Sequence, residues 1–550
     1  MFRIRRASSR AHFNGAASRA YVNGASSRAR VNSAASRASY LSASPLLAAA
    51  LAVAALSPAL SPAAAQTPQR GGTLTVGLAQ DPLTVDPIRT GSFTERQFNR
   101  LVYEPLFDIA EDGTTVPFLA ESYTLSDDGL TYTIKLRPGI LFHDGTPLDA
   151  AAVAANWDRF ANPDNRCRCL NDMAEFASWR VVDDLTVEAV LKEPNVAFPT
   201  VLADAPGNMV SPAAFKADPQ AIGTNPVGTG PFKFVEWVRD DHFAAERFED
   251  YWQEGKPLLD RVVLRGIQNT ETLQAAFQSG QTQVILQPSD QFVARVKDDP
   301  AYEVMRPGGF GYEGVYMSVS QPPFDDVRVR EAVARAMNRP LIAKTLLFGL
   351  RTPAVSPFGV GMADHKPVPE YPEYDEAKAK ALVEAYGKPV EFTLIFNNSP
   401  QTQRFAQVLQ QMWGAVGMKV TLEPLDQNRI VQNVVGKQFQ AALFRWTGRA
   451  DPHMNTYRFM HSHYADISPS SNYGRIKIPA LDALLDQGKV EQDPAKRAAI
   501  YEDVSRVLAK ELPYAFTYYV EDSIVAAKSV HGFQSVPDGL LRFDGLWVEK

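Results

Sequence analysis

Between Gly129 and Phe160 the hydrophobic pattern changes period, and that change restricts the possible folds more than any other feature of the chain. In "GLTYTIKLRPGILF", Tyr132, Ile134 and Leu136 alternate with Thr131, Thr133, Lys135 and Arg137, which predicts a half-buried strand. Pro138-Gly139 turns it. The following "DGTPLDAAAVAANWDRF" predicts a turn and then a helix capped by Asp149, with Val153, Trp157 and Phe160 on one face. Further helices are expected in "DVRVREAVARAMN", with Asp326 as cap and Val329, Val333, Ala336 and Met337 as the apolar stripe, and from Asp493 to Leu508. Another runs from Gln401 to about Val416, with Phe405, Leu409, Met412 and Trp413 inward, before a strand in "MKVTLEPL". Short strands and moderate helices alternate along the chain without a low-complexity linker, so the fold class is α/β.

The first 65 residues are of a different kind. They hold eight arginines, no lysine and no acidic residue, and Ser-Arg-Ala returns at Ser9, Ser18, Ser27 and Ser36, every nine residues. A nucleic-acid-binding arm is one reading. Export is the better one. An apolar run from Leu46 to Leu56 leads to Ala63-Ala64-Ala65 before Gln66, the layout of a signal peptide, and it is shorter than the roughly 20 apolar residues that cross a bilayer. Residues 1–65 are therefore expected to be a basic extension plus signal peptide, the mature chain starting near Gln66. The first cysteine is Cys167, so none stands at that junction to carry a lipid, and no second long apolar run follows. A free periplasmic protein without stable membrane insertion is expected.

About 485 residues follow residue 65, more than one hydrophobic core usually holds, so at least two domains are expected. They carry 48 basic and 62 acidic residues, a formal charge of −14, which argues against nucleic acid as a partner. Cys167 and Cys169 form either a local disulfide or two ordinary thiols; a zinc site would need about twice as many ligands.

No catalytic motif emerges. Gly309-Phe310-Gly311-Tyr312-Glu313-Gly314 has the letters of a dinucleotide fingerprint, but "VYMSVS" after it predicts a strand, so no helix N-terminus would meet a pyrophosphate. No HExxH, phosphate loop or GxSxG occurs. The acidic pairs Asp127-Asp128, Asp183-Asp184 and Asp240-Asp241 fit solvated turns. His453, His461 and His463 are either metal ligands or surface histidines. The chain is expected to be neither an enzyme nor a cofactor carrier.

Several stretches together resemble the family 5 extracellular solute-binding proteins, the peptide/nickel/opine class of receptors for ABC importers. They are "GGTLTVGLAQDPLTVDP", "LVYEPLFDIAEDGTTVPFLAESYTLSDDGLTYTIKLRPGILFHDGTPLDAAAVAANW", "NPVGTGPFKFVEW", "PPFDDVRVREAVARAMNRPLI", "YDEAKAKALVEAYG", "WTGRADPHMN" and "SNYGRIKIPALDALL", from about Gly71 to the C-terminus.

The resemblance implies a two-lobed, hinge-linked periplasmic binding protein fold. Lobe I would take residues 66–311, with a small subdomain at about 118–215, lobe II would take 312–517, and 518–550 would return to lobe I. It implies a monomer that captures a short peptide or similar amine-bearing solute between the lobes and delivers it to ABC permease subunits. Asp451 of "WTGRADPHMN" would hold the ligand's ammonium, with Trp446 and Arg449 of the same motif at the pocket. Thr90, Gly91, Ser92 and Phe93 of "RTGSF", and Gly309, Phe310 and Tyr312 of "GGFGY", would approach the ligand. Asn397, Asn398 and Arg404 would meet its other end, although dipeptide-type members have an arginine where the asparagines stand. His453 follows Asp451-Pro452 where relatives carry an acidic residue or glycine. This keeps open a nickel or metal-chelate receptor using His453, His461 and His463. A secreted hydrolase, and a chemosensory or chaperone-like periplasmic protein, are the alternatives of other classes.

Overall fold

Strands from distant parts of the chain assemble into two large sheets, and the chain passes between them twice. The computed structural model describes residues 67–363, 365–467 and 471–550; the expected basic extension and signal peptide lie outside them. Residues Thr67–Lys550 form one compact unit. Its seven-stranded sheet runs in the order Tyr302–Met305, Ile524–Ala527, Val284–Leu286, Thr73–Leu78, Arg261–Gly266, His242–Arg247, Phe232–Val238. Thr73–Leu78 is parallel to both neighbours, with Leu74 and Val76 fully buried. The two parallel neighbours satisfy both edges of the strand, and the sequence "TLTVGL" supplies alternating apolar residues, Leu74, Val76 and Leu78, for its buried face.

The five-stranded sheet has the order Lys419–Leu425, Glu391–Asn397, Ala441–Trp446, Tyr312–Met317, Tyr514–Tyr519. Helix Pro400–Ala415, capped by Ser399, packs Phe405, Leu409 and Trp413 inward, and the Trp413 indole N–H donates to the Val333 carbonyl of helix Val327–Ala336 at 3.1 Å. The expected helix from Asp493 is present, capped by that residue, and continues to Glu511. The strand Tyr312–Met317 begins inside the glycine fingerprint, so those glycines open no helix.

A separate four-stranded antiparallel sheet runs Ala120–Leu125, Thr131–Leu136, Thr186–Leu191, Phe176–Asp183. Here the period-2 reading is realised: Tyr132, Ile134 and Leu136 are buried. Helix Ala150–Ala161 is capped by Asp149, whose carboxylate accepts the Ala152 N–H at 2.7 Å, and Trp157 packs on Phe176 and Trp179. Cys167 and Cys169 form a disulfide.

The chain leaves the seven-stranded sheet after Met305, enters the five-stranded sheet at Tyr312, and returns between Tyr519 and Ile524. The two crossings touch, the Val520 N–H donating to the Gly311 carbonyl at 3.0 Å. A Cβ on Gly309 would lie 1.9 Å from the Val520 carbonyl oxygen, and one on Gly311 would lie 1.8 Å from that of Trp446. These two positions need glycine because another backbone occupies the space of a side chain.

Candidate functional site

Beside the paired crossings lies a small cavity of about 40 Å³, which includes Gly91, Phe93, Gly309 and Phe310 in its lining. Arg445, Thr447 and Asp522 line it and also a larger cavity of about 530 Å³. The residues expected to contact a ligand fall around these spaces unevenly.

Ser92 caps helix Phe93–Val102, and Glu95 closes the reciprocal box by accepting the backbone N–H groups of Gly91 and Ser92, both at 2.9 Å. The amides of the "RTGSF" loop are thus donated to Glu95. Gly91 and Phe93 border the small cavity, whereas the buried Thr90 hydroxyl accepts from the Asn99 side chain at 3.0 Å. Tyr312 is fully buried, its hydroxyl accepting from Tyr316 and its ring edge-on to Phe516.

The "WTGRADPHMN" segment divides in two. Trp446 packs on Phe459 at 4.4 Å, and its indole donates to Asn455 at 2.8 Å. The buried Asn455 side chain also accepts the Arg449 N–H and donates to the Arg449 carbonyl, fixing the loop that carries Arg449. Arg449 lines the small cavity, and its Nε lies 2.6 Å from Asp204. Arg96 approaches the same carboxylate at 3.5 Å. Burial alone would raise Asp204, but Arg449 and Arg96 outweigh it and hold the carboxyl at about 2.

Asp451 points elsewhere. It caps helix Pro452–Met460, accepting the His453 N–H, and pairs with Arg497 through two hydrogen bonds of 2.7 and 2.8 Å. It lines neither cavity. Arg497 in turn donates from Nε to the Gly488 carbonyl and lies over the Tyr501 ring.

The three histidines are interleaved with tyrosines. His453 and His461 lie on Tyr457 at ring distances of 4.7 and 4.8 Å, and His463 lies against Tyr464. His453 is buried, its Nδ1 has no hydrogen-bond partner, and burial pushes it down to about 3. It borders a third cavity of about 370 Å³ together with Tyr457 and Lys489. Among the described residues, no group of three or more His, Cys, Asp or Glu side chains is arranged to hold a metal ion.

Asn397 lines the larger cavity, held by a 2.9 Å bond to Gln427. Asn398 and Arg404 are exposed and line neither cavity, while Phe405, the next residue along, does line the larger one. The charges that shape this cavity were not marked by any motif. Asp290 binds Arg351 through two bonds, Arg351 lies 3.6 Å from Asp522, and Asp522 pairs with Arg445. Glu313 accepts from the Tyr518 hydroxyl at 2.7 Å and lies 3.7 Å from Arg445. Only adjacency hinted at them, Arg445 preceding Trp446 and Glu313 lying inside the glycine fingerprint.

Residues 114–466 match the family described as bacterial extracellular solute-binding proteins, family 5. The chain is 33% identical over 479 residues to a glutathione-binding protein GsiB of Pectobacterium atrosepticum, covering 84% of this chain and 91% of that protein. Among solved structures it resembles the ABC transporter substrate-binding protein CtaP of Listeria monocytogenes, with TM-score 0.78, 25% identity, and coverage of 88% and 100% of the two chains. It also resembles the binding protein AgaA of A. tumefaciens in complex with agropinic acid, with TM-score 0.76, 26% identity, and coverage of 87% and 99%. The chain belongs to the family 5 bacterial extracellular solute-binding proteins, and its fold is the two-lobed one of periplasmic binding proteins.

Proposed function

We propose that this solute-binding protein of an ABC importer works in the periplasm as a receptor for a short peptide or peptide-like solute, held in the joined cavities beside the crossings. The observation that carries the reading is their lining. Gly91, Arg96 and Asp204 precede the first crossing, Gly309 and Phe310 lie in it, Arg445 and Arg449 follow it, and Asp522 lies in the second. A solute bound there touches both lobes, so binding favours the closed arrangement, and closure is what a permease can read. Lobe I comprises residues 66–311 and the return from about 518, and lobe II the stretch between. The glutathione-binding relatives support a peptide-like solute.

Within this reading Arg449, Phe93, Gly91, Gly309, Phe310 and Asn397 border the ligand. Trp446, Tyr312 and Asp451 support the frame, because each already has its polar group satisfied within the protein.

Native mass spectrometry of freshly purified residues 66–550, with and without a chelator and after incubation with glutathione and mixed short peptides, tests the proposal. A bound organic mass that survives the chelator is expected. A metal-sized adduct lost to the chelator, or no adduct under any condition, overturns it.

A further inference from the structure

The two cavities, which share Arg445, Thr447 and Asp522 as a common wall, carry opposite charge imbalances, and we infer that the ligand is a zwitterion whose carboxylate lies at Arg449 and Arg96 and whose ammonium lies at Glu313. This rests on the receptor reading above and adds the chemistry and direction of the ligand.

On the side of the small cavity, Asp204 is shared by two guanidiniums, Arg449 at 2.6 Å and Arg96 at 3.5 Å. Behind them Arg100 and Arg542 are met by Asp108 and Asp538. Four arginines therefore face three aspartates. One anion is missing from this side, and Arg449 and Arg96, which both border the cavity, have the single Asp204 carboxylate between them.

On the side of the larger cavity the sign reverses. Among the described residues, Asp290, Glu313 and Asp522 share Arg351 and Arg445 alone as ion-pair partners. Asp290 takes two bonds from Arg351, and Asp522 takes Arg445 together with a bond from Gln287. Glu313 is left with the neutral Tyr518 hydroxyl and a 3.7 Å contact to Arg445. One cation is missing here, and Glu313 lacks it most directly. Asn397 and Gln427 line the same cavity, bonded to each other at 2.9 Å, and Phe405 supplies an apolar wall.

Around the third cavity Arg458 pairs with both Asp172 and Glu175, Lys489 pairs with Glu193, and Lys192 donates to the Ala174 carbonyl. Removed from bulk water, each unmatched charge is costly until a ligand supplies its partner, so a molecule carrying both signs gains at both ends. The direction is the reverse of the one expected from "WTGRADPHMN", since the ligand's carboxylate, not its ammonium, meets that segment.

The test presents the mature chain with three pools of peptides of two to four residues: free, N-acetylated and C-terminally amidated. Native mass spectrometry reads what is retained. The wild type is expected to retain the free pool at least tenfold better than either blocked pool. Glu313→Gln should stop discriminating against acetylation while still rejecting amides, and Arg449→Gln should do the opposite. Glu313→Asp and Arg449→Lys keep the charges and should keep both preferences, and circular dichroism confirms that each variant is folded. Equal retention of a blocked and the free pool by the wild type, or variants with the two effects exchanged, overturns the inference and leaves the receptor standing. Retention of none of the three pools overturns both.

Discussion

Replacing Arg497 by methionine should destabilise the protein severely while leaving solute capture almost unchanged. In the native structure the Asp451 and Arg497 side chains are 12% and 14% exposed and joined by two short hydrogen bonds. With Arg497 gone, the Asp451 carboxylate keeps the His453 N–H, and stranding one member of a buried pair costs about 3–5 kcal/mol. Asp451→Asn should cost less, about 2–3 kcal/mol, because asparagine still caps the helix and Arg497 retains the Gly488 carbonyl and the Tyr501 face. The double variant should be more stable than the sum of the single losses predicts, by about 2 kcal/mol of coupling between contacting residues. Urea unfolding followed by tryptophan fluorescence measures all four proteins, and native mass spectrometry compares their capture of the free peptide pool. If Asp451→Asn costs under about 0.5 kcal/mol, far below the cost of breaking a buried pair, and at the same time abolishes capture, Asp451 is a ligand anchor and the reasoning fails.

Stability should also depend on pH in a way that three buried groups dictate. His143 and His453 are pushed down by burial to about 4 and about 3, so below pH 6.5 the unfolded chain binds protons that the folded chain refuses, and stability falls with falling pH. Glu104 has the opposite sign: burial raises it to about 8, and stability falls as pH rises toward that value. Glu104→Gln should remove a loss of about 2 kcal/mol between pH 6.5 and 8, and His453→Gln should flatten the acid side; urea midpoints from pH 5 to 8 would show either slope persisting if the assignment is wrong. Gly311→Ala should cost at least about 3 kcal/mol, since its Cβ would lie 1.8 Å from a carbonyl oxygen. Gly145→Ala, with φ of +81° and open space around it, should cost only about 1–2 kcal/mol, and equal losses in thermal unfolding would refute the role given to the crossings. Removing the disulfide with Cys167→Ser and Cys169→Ser should cost about 1.5 kcal/mol, because the loop it closes is so short; a loss above about 4 kcal/mol in urea would contradict that.

What local sequence determines is visible where one element's own residues settle the outcome. The alternation in Thr131–Leu136, the Asp149 cap, and the stripes of Val327–Ala336 and Pro400–Ala415 were legible because a strand or helix buries the face that its own period presents. The family and its order of segments were legible for the same reason, as they are written along the chain. The partners of charged groups were not. Asp451 stands in a motif that suggests a ligand, yet its charge is taken by Arg497, 46 residues away. Arg449 meets Asp204 from the far side of the crossings, and Glu313 shares Arg445 with Asp522 across strands that pair only in the folded sheet. A carboxylate's role depends on which cation lies within a few ångströms and how much water is excluded, and chain spacing records neither. The sequence determined the elements and the family; tertiary packing decided which charges were spent on the frame and which were left for a ligand.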